Sequence, residues 1–592
     1  MTYRAPVDDI MLALNTAVGL DQLIGQGIYD GLDAETVAAI LEEAGRFASE
    51  VLDPLNWPGD QEGSALAHGT VSTPSGWKDA YHRFTAAGWS GLPCPPEYGG
   101  QGLPGVVSMA ASEIWNAANL SFGLCPLLTQ GAIDALAADG SEELKRTYLP
   151  KMISGEWAGT MNLTESQAGS DLGAMKTRAV PQADGTYRIF GTKIFITYGE
   201  HELTDNIVHM VLARLPDAPP GTKGISLFLV PKRLVEADGS LGARNDVVCT
   251  GVEEKLGIHA SPTCVMTYGD KDGAVGYLVG QPHHGLGTMF IMMNAARLAV
   301  GVQGVAMAER ATQRALRFAS ERRQGRALTA PAGDMVAIIE HADVRRMLLT
   351  MKAMTQAARC ICLVTAAEID ISHRAADEGE RHIAAHRAAL LTPVAKAYAT
   401  DVGCEVASLG VQIHGGMGFI EETGAAQHFR DARILPIYEG TNGIQAMDLV
   451  SRKLLLVNGE VVKAYIGELA ETAAEVEASN RPEFGAMGQR LVAAVSALEE
   501  ATQWMLRALN GRAGLALAGA TPYLRLFGIT AGATYLARAA LAASRDGGRG
   551  HDDILLARFY AESIASAAPG LAATVIDGSA AVHEMAPSRL AV

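Results

Sequence analysis

The hydrophobic pattern of the chain changes period twice, and this change limits the possible folds more than any other feature of the sequence. Residues 33–158 repeat apolar positions every three to four residues, as in "DAETVAAILEEAGRFASEVL". Residues 159–279 instead contain short β-rich runs such as "TYRIFGTKIFIT" and "GISLFLVP", separated by Gly, Asp and Pro. The helical period then returns. This order predicts a helical domain, then a sheet or barrel of antiparallel strands, then a helical bundle.

A chain of 592 residues is too long for one ordinary core, so several domains are expected. Its residues are 48% hydrophobic but only 6% aromatic, which favours helices built from aliphatic residues and Ala. We therefore expect a mainly α protein with a central β domain. The predicted bounds are 1–32 for an N-terminal extension, 33–158 for the N-terminal helical domain, 159–279 for the middle β domain, 280–456 for the helical bundle and 457–592 for an additional C-terminal helical domain.

Charge and cysteine content restrict the partners and the compartment. A net charge of -17 argues against a nucleic-acid binder that neutralises phosphates. Seven scattered cysteines form no disulfide framework, and the N-terminal stretch lacks the basic region of a secretory signal. The Ala-rich stretch at 515–543 is interrupted by Arg525 and Arg538, so no apolar run is expected to cross a bilayer. The sequence predicts a cytoplasmic protein that binds neither nucleic acid nor membrane.

Two motif matches lack the context that their chemistry requires. "GQGLPG" at 100–105 fits the dinucleotide fingerprint, but "PCPPEYG" before it cannot be a buried parallel strand. "HIAAH" at 382–386 spaces two histidines as in a zincin helix, but Ile383 replaces the Glu base. Neither a Rossmann site nor a metal site is predicted.

A single carboxylate, Glu439, lies on a Gly-flanked turn in the segment "ILPIYEGTNGIQ". One interpretation is that Glu439 interacts with the dipole of a helix that begins near Asn442. The other is that Leu435, Ile437 and Tyr438 partly desolvate the carboxylate, which makes it a candidate proton acceptor. The turn alone leaves both interpretations open.

Three further segments carry groups suited to a ligand. In "MNLTESQAGSDLG", small residues let backbone amides approach a ligand closely, and Thr164 and Ser170 add hydroxyl groups. "ERRQG" places Arg322 at the end of a predicted helix, and a guanidinium group suits paired phosphates. The glycines of "QIHGGMGF" can hold a phosphate through their amides. Each segment alone is equally compatible with a polar loop, a solvated basic helix end or a Gly-rich helix end.

Together with the strand "GTKIFIT", these segments resemble the acyl-CoA dehydrogenase family over residues 36–456. The first segment matches the T-E-P-x-x-G-S-D signature, with Ser166 in place of Pro. The strand matches G-x-K-x-[WF]-I-T, and "RRQG" resembles R-x-Q-F-G without the Phe. "YEGT" matches the turn that carries the catalytic base of the family, and Glu439 occupies that position.

The resemblance implies the family fold, the cofactor FAD and a set of site residues. It assigns cofactor binding to Leu163, Thr164, Ser170, Phe195, Ile196, Thr197, Arg322, Gln324, Gln412, Gly415, Gly416 and Thr441. It assigns substrate binding to Ser170, Asn294, Arg297 and Gly440. In the family, the glycines of the segment that "QIHGGMGF" matches often contact the FAD of a neighbouring subunit.

The implied reaction is the α,β-dehydrogenation of an acyl-CoA thioester to a trans-2-enoyl-CoA. Glu439 would remove the α-proton while the β-hydrogen leaves as hydride to flavin N5, and hydrogen bonds to the thioester carbonyl would stabilise the enolate. The expected substrate is a short-chain or 3-methylthiopropanoyl thioester. An electron-transferring flavoprotein is the expected acceptor of the electrons.

The C-terminal extension resembles the long bacterial form of the family, for which a homodimer is expected. Two alternatives remain. One is an acyl-CoA oxidase-type flavoenzyme, whose reduced flavin reacts with oxygen. The other is a non-enzymatic, DNA-associated flavoprotein of the alkylation-response type, which the acidic charge disfavours.

Overall fold

The computed structural model describes residues 3–326, 335–545 and 550–590, and most of them are helical. The helices of the first three domains are α1 Val7–Ala13, α2 Leu20–Gly25, α3 Ala34–Phe47, α4 Asp53–Glu62, α5 Trp77–Ala86, α6 Gly105–Ala118, α7 Leu120–Asp139, α8 Glu142–Ile153, α9 Gly285–Glu321, α10 Ala342–Arg374, α11 Glu378–His414, α12 Ala425–Ala432 and α13 Asn442–Asp448. The C-terminal region adds α14 Glu460–Ser479, α15 Met487–Leu509, α16 Ala513–Ala518, α17 Ala520–Arg545, α18 His551–Ser563, α19 Ala568–Ile576 and α20 Gly578–Glu584.

The strands are β1 Ala65–Ala67, β2 Thr70–Ser72, β3 Trp157–Asn162, β4 Arg178–Pro181, β5 Tyr187–Thr197, β6 Asn206–Arg214, β7 Ile225–Pro231, β8 Arg233–Val235, β9 Leu241–Arg244, β10 Val247–Val252, β11 Thr263–Tyr268 and β12 Ala274–Val279. The main sheet has the order β10-β11-β5-β12-β7-β6-β3, with β4 beside β5. The predicted mainly α architecture with a central β domain is confirmed.

One feature of the sheet differs from the prediction of antiparallel strands. Strand β3 pairs with β6 in parallel, in the register Trp157↔Asn206 to Asn162↔Val211. Both strands are buried along nearly their whole length. Pairing direction depends on the path of the chain between two strands rather than on their composition, so a list of β-rich runs could not supply it.

The bundle is built on α9, α10 and α11, and glycines let α9 and α11 cross closely. A Cβ at Gly304 would lie 2.4 Å from the carbonyl oxygen of Ala399, and one at Gly301 would lie 2.7 Å from that of Ala395. Gly403 of α11 in turn packs on the backbone of Gly304. The two helices therefore meet backbone to backbone, which fixes the position of the residues they carry toward the site.

The C-terminal helices pack on the bundle mainly through α17. Gly528 of α17 lies against the ring of Tyr398 on α11, and Gly532 lies against Ala357 on α10. The hydroxyl groups of Tyr398 and Tyr560 are 2.6 Å apart and fully buried. The extension thus shares a continuous core with the bundle.

Four helices are long and apolar enough to cross a membrane by length and composition alone: Leu120–Asp139, Gly285–Glu321, Ala342–Arg374 and Ala520–Arg545. The last of them contains the arginines that the sequence analysis took as interruptions of an apolar run. In each helix, 61% or more of the apolar window is buried inside the fold. Their hydropathy is therefore accounted for by the core.

Candidate active site

Glu439 lies on a tight turn between Leu435 and helix α13. Its backbone has φ +55°, a left-handed conformation that is uncommon for residues other than Gly. The turn is closed by a hydrogen bond from the amide of Asn442 to the carbonyl of Pro436, at 2.9 Å. Helix α13 begins at Asn442 as predicted, but its N-cap is Thr441, whose hydroxyl accepts from the amide of Ile444. Glu439 is therefore not the cap of this helix.

Burial and two cations set the proton affinity of Glu439. Burial raises the pKa of its carboxyl above the ordinary value, and the charges of Arg297 and Lys396 oppose this rise. The net effect is a pKa above that of an exposed glutamate. A half-buried carboxylate with a raised pKa is well matched to general-base work near neutral pH.

Arg297, from the first half of α9, is 8% exposed. Its guanidinium carbon lies 5.8 Å from the ring centroid of Phe290, and its Nη1 donates to Asn294 at 3.2 Å. Among the described residues, neither Nε of Arg297 nor Oε1 of Gln445 has a hydrogen-bond partner, although both are buried. Gln445 also lies against Gly440, next to Glu439. Such unpaired buried groups mark a place where a polar ligand can complete the hydrogen bonding.

The loop after β3 and strand β5, identified separately in the sequence, lie side by side. The amide of Ile194 donates to the carbonyl of Thr164, and Nζ of Lys193 donates to the carbonyl of Leu163, both at 2.9 Å. Leu163 and Thr164 are half-buried, whereas Ser170 is exposed at the far end of the loop. The structure thus places the first two predicted residues directly beside β5.

Glu165 holds this loop in place. Its carboxylate accepts hydrogen bonds from the amides of Lys176 and Thr177, from the hydroxyl of Thr177 and from Nζ of Lys193, at 2.6 to 3.0 Å. Burial alone would raise the pKa of Glu165, but Lys193 and the Thr177 and Lys176 donors lower it to about 2. These bonds fix the loop on both sides of Ser166, the position at which the family motif has Pro.

Phe195 presents an apolar ring to solvent at the end of β5. Its backbone has φ +60° and its side chain is 58% exposed, whereas Ile196 is 2% exposed. Thr197 is half-buried and pairs with Thr263 of β11. The left-handed backbone of Phe195 is strained, and its exposed apolar ring gains no stability from burial. A flat aromatic ligand that stacks on the ring would cover it.

A second group of predicted residues lies at the opposite end of α9. Phe318 of α9 and His414 of α11 stack with centroids 4.3 Å apart, so the ends of the two helices are neighbours. This end carries the exposed residues Arg322, Gln324, Gln412, Gly415 and Gly416. Since α9 is continuous from Gly285 to Glu321, Arg322 is about 38 Å from Arg297 along its axis.

These residues fit FAD chemically. The uncovered ring of Phe195 with the hydroxyls of Thr164 and Thr197 suits a flavin ring, and Arg322 suits its diphosphate. A Cβ at Gly415 or Gly416 would meet no atom within 4 Å, so their backbone amides are open to a ligand.

Two polar residues beneath the Glu439 turn were not predicted from the sequence. Nζ of Lys396 donates to the carbonyl of Leu435 and to Oδ1 of Asn442, both at 2.9 Å. Gln303 accepts a hydrogen bond from the hydroxyl of Tyr438. Both side chains are 0% exposed. The available signal was a lysine within the otherwise apolar stretch "TPVAKAYA", since an unpaired lysine is almost never fully buried.

Models of protein families match nearly the whole chain. The N-terminal domain of acyl-CoA dehydrogenase matches residues 34–156, the middle domain 160–270 and the C-terminal domain 283–455. A further model, acetyl-CoA dehydrogenase C-terminal like, matches residues 465–586. The four matches follow one another in the order of the helical, β, bundle and C-terminal regions.

Individual relatives agree with these matches. The chain is 49% identical over 567 residues to 3-methylmercaptopropionyl-CoA dehydrogenase of Ruegeria pomeroyi, which covers 96% of this chain and 95% of that protein. It is 38% identical to a butyryl-CoA dehydrogenase of Syntrophomonas wolfei, over 79% of this chain and 78% of that protein. The fold matches acyl-CoA dehydrogenase complexed with FAD from Bacillus anthracis with a TM-score of 0.72 at 23% identity, over 95% of this chain and 90% of that one. The chain therefore belongs to the acyl-CoA dehydrogenase family.

Proposed function

We propose that the protein is an FAD-dependent acyl-CoA dehydrogenase that oxidises a short acyl-CoA thioester, with 3-methylthiopropanoyl-CoA as the first candidate, to the trans-2-enoyl-CoA. The observation that carries this proposal is Glu439, a carboxylate of raised pKa on a strained turn, in a family whose turn of this sequence carries the base. Thr441 rather than Glu439 caps the following helix, so the alternative role for Glu439 is an interaction with the helix dipole.

Different residues of the chain serve different parts of the reaction. Glu439 takes the α-proton of the thioester, and its raised pKa makes it a strong enough base for a weak carbon acid. Arg297 and Gln445 lie beside Glu439 with unpaired polar atoms that can orient the thioester or its CoA portion. Phe195, Thr164 and Thr197 would hold the flavin ring. When bound, FAD supplies the acceptor for the hydride that leaves the β-carbon.

The substrate choice rests on the named relatives. One acts on 3-methylmercaptopropionyl-CoA, the methylthiopropanoyl thioester, and aligns with nearly the whole chain, whereas the relatives named butyryl-CoA dehydrogenase align with about four fifths of it. These thioesters share a short acyl chain with a β-carbon that can lose hydride. An electron-transferring flavoprotein is the proposed acceptor, and the cytoplasm is the proposed compartment.

We also propose that two copies of the chain complete each FAD site. The separation of about 38 Å along α9 supports this arrangement, because it places Arg322 and Gly415 far from Arg297 and the proposed base, beside which the flavin ring would have to lie. Next to Gly415, the apolar residues Met417, Phe419 and Ile420 are 50%, 87% and 45% exposed. An exposed apolar surface beside an incomplete ligand site favours a second copy as its occupant.

The test is anaerobic bleaching of the flavin absorbance on mixing with acyl-CoAs, using wild type, Glu439→Gln and Glu471→Gln. Glu471 is an exposed glutamate on α14 and is the matched control. Wild type and the control should bleach with butanoyl-CoA and 3-methylthiopropanoyl-CoA, and Glu439→Gln should lose at least about 1,000-fold in rate while it retains FAD. Since the base must be deprotonated, the wild-type rate should rise with pH through a pKa above that of ordinary Glu.

Equal bleaching by wild type and Glu439→Gln would overturn the role of Glu439. Absence of bleaching with every thioester would overturn the dehydrogenase proposal and favour the DNA-associated alternative. Rapid reoxidation of the reduced protein by air, without an electron-transferring flavoprotein, would favour the oxidase.

A further inference from the structure

We propose that Lys396 is a positioning residue for the catalytic base: its buried ammonium group fastens both ends of the Glu439 turn and places a positive charge behind the carboxylate. This inference rests on the proposed function, since it concerns how the base of that reaction is held. Lys396 lies in the middle of α11, has no exposed surface and does not face the open side of the site.

The hydrogen bonds of Lys396 connect two points of the chain on either side of Glu439. Nζ donates to the carbonyl of Leu435, four residues before Glu439, and to the side chain of Asn442, three residues after it, both at 2.9 Å. One cation therefore holds the entrance and the exit of the turn against the same helix. A residue in a left-handed conformation needs such external fixation, because the surrounding structure must outweigh its strain.

Asn442 completes the attachment to α11. Its Nδ2 donates to the carbonyl of Ala397, to the hydroxyl of Thr400 and to the carboxylate of Asp401, at 2.7 to 3.1 Å. Asn442 thus forms hydrogen bonds with three residues of α11 besides Lys396. The side-chain oxygen of Asn442 stays oriented toward Nζ as a result.

The charge of Lys396 acts on Glu439 as well. Burial lowers the pKa of Lys396 to about 7, and the other groups that influence it are Glu439, Asp401, Arg297 and Cys404. The ammonium charge is therefore complete only on the acid side of this pKa, which is where an acid limb reports on it. Of these groups, Arg297 shares with Lys396 the effect of lowering the pKa of Glu439 against burial. The two cations lie on different helices, so Lys396 can act on the carboxylate from the protein interior while Arg297 remains available for the ligand.

The experiment measures the rate of flavin reduction by butanoyl-CoA from pH 5.5 to 9 in FAD-loaded wild type, Lys396→Met, Asn442→Ala and Lys255→Met. Lys255 is a partly buried lysine of the β domain whose Nζ donates to the carbonyl of Ser261, and it serves as the matched control. Lys396→Met should reduce the rate by about 10- to 100-fold, because small displacements of a reacting group have effects of this size. The acid limb of its pH–rate profile should move to higher pH, since removing a cation raises the pKa of a carboxyl.

Asn442→Ala should lower the rate without moving the acid limb of the pH–rate profile, because this substitution loosens the turn but leaves the ammonium group of Lys396 in place. Lys255→Met should match wild type in both measurements. In Lys396→Ala, added propylammonium, which replaces the missing atoms and charge, should restore the rate more than propan-1-ol does. This comparison retains its meaning even if Lys396→Met is poorly folded, because both additives are tested on one protein.

Two results would overturn the inference. One is a Lys396→Met enzyme with a rate within about threefold of wild type and the same acid limb. The other is equal recovery with propylammonium and propan-1-ol in Lys396→Ala, which would indicate that Lys396 only fills space. Both results require a wild type that bleaches with butanoyl-CoA; a wild type that fails with every thioester would refute the proposed function instead.

Discussion

Glu165 and Lys193 show how two buried motif residues hold a loop of the candidate site in place. The Lys193–Glu165 ion pair is 2.9 Å long and both side chains are almost fully buried, at 0% and 5% exposed. Three more donors complete the hydrogen bonding of the Glu165 carboxylate. The loop that carries Leu163 and Thr164 is therefore held by charge and hydrogen bonds, which depend on pH in a way that a proline would not.

Glu165→Gln should destabilise the protein by about 3 to 5 kcal/mol, because it leaves the Lys193 ammonium group buried without its partner charge. A group whose pKa is depressed on folding contributes stability above its unfolded pKa, and this contribution is lost as the pH falls. The difference between wild type and Glu165→Gln should thus be full above about pH 4.3 and shrink below it. Chemical denaturation across this pH range measures it.

The control for this prediction is Glu156→Gln. Glu156 also pairs with a lysine, Lys151, but the two side chains are 55% and 43% exposed. Exposed ion pairs contribute about 1 kcal/mol or less, so this variant should remain close to wild type. A Glu165→Gln loss no larger than that of the control would contradict the buried-pair explanation.

At the scale of elements, the crossing of α9 and α11 depends on glycines rather than on side-chain packing. Gly304→Ala should lower stability by about 1 to 3 kcal/mol, since its Cβ would lie 2.4 Å from a backbone carbonyl that cannot rotate away. Gly467→Ala in α14 is the matched control, because its Cβ would meet no atom within 4 Å. That variant should gain about 0.5 to 1 kcal/mol from helix propensity. Thermal unfolding of both variants is the measurement, and a stabilised Gly304→Ala would contradict the close crossing.

Elements with a strong local signal could be predicted from the sequence. The start of α13 at Asn442 follows from cap chemistry within a few residues. For α3 the sequence offers Asp33 or Thr36 as the cap, and the structure shows that Asp33 is the N-cap and accepts from the amide of Thr36. The parallel pairing of β3 with β6 and the hairpin of β1 and β2 were missed. The pairing depends on contacts between residues distant in sequence, and the hairpin strands have only three residues each, too few to establish a period.

The residues of the candidate site also differ in whether the sequence alone could identify them. Motifs located Glu439, Phe195 and Arg322 because each lies within a recognisable short segment. Lys396 belongs to no such segment, and its importance depends on the turn that folds onto α11 from about 40 residues further along the chain. The helical period of residues 294–322 predicted one long helix, and the structure confirms that Arg297 and Arg322 are joined by the continuous helix α9.

At the scale of the whole molecule, the proposed assembly can be tested by combining two defective chains. Arg322→Glu should be purified without FAD, because it places a negative charge where the diphosphate would bind. Glu439→Gln should keep FAD and lack activity. In a statistical mixture of the two chains, half of the dimers contain both types, and each of these has one intact site, so activity should recover to about one quarter of wild type.

Co-expression of the two chains from one cell provides this mixture, and the rate of flavin reduction measures it. Each variant expressed with itself is the control, and both controls should stay inactive. Absence of recovery in a mixture that does form mixed dimers would show that FAD is held within a single copy.

The exposed rings of Phe195 and Phe419 also affect the biosynthesis of the protein. In the proposed assembly, FAD covers the first ring and a second copy covers the second. A newly made chain therefore exposes both apolar rings until it has bound FAD and a second copy of the chain. Under this assembly, flavin supply in the cell should set how long the new chain is open to chaperones and proteases, and riboflavin starvation should lower the amount of the protein before it lowers the activity of each molecule.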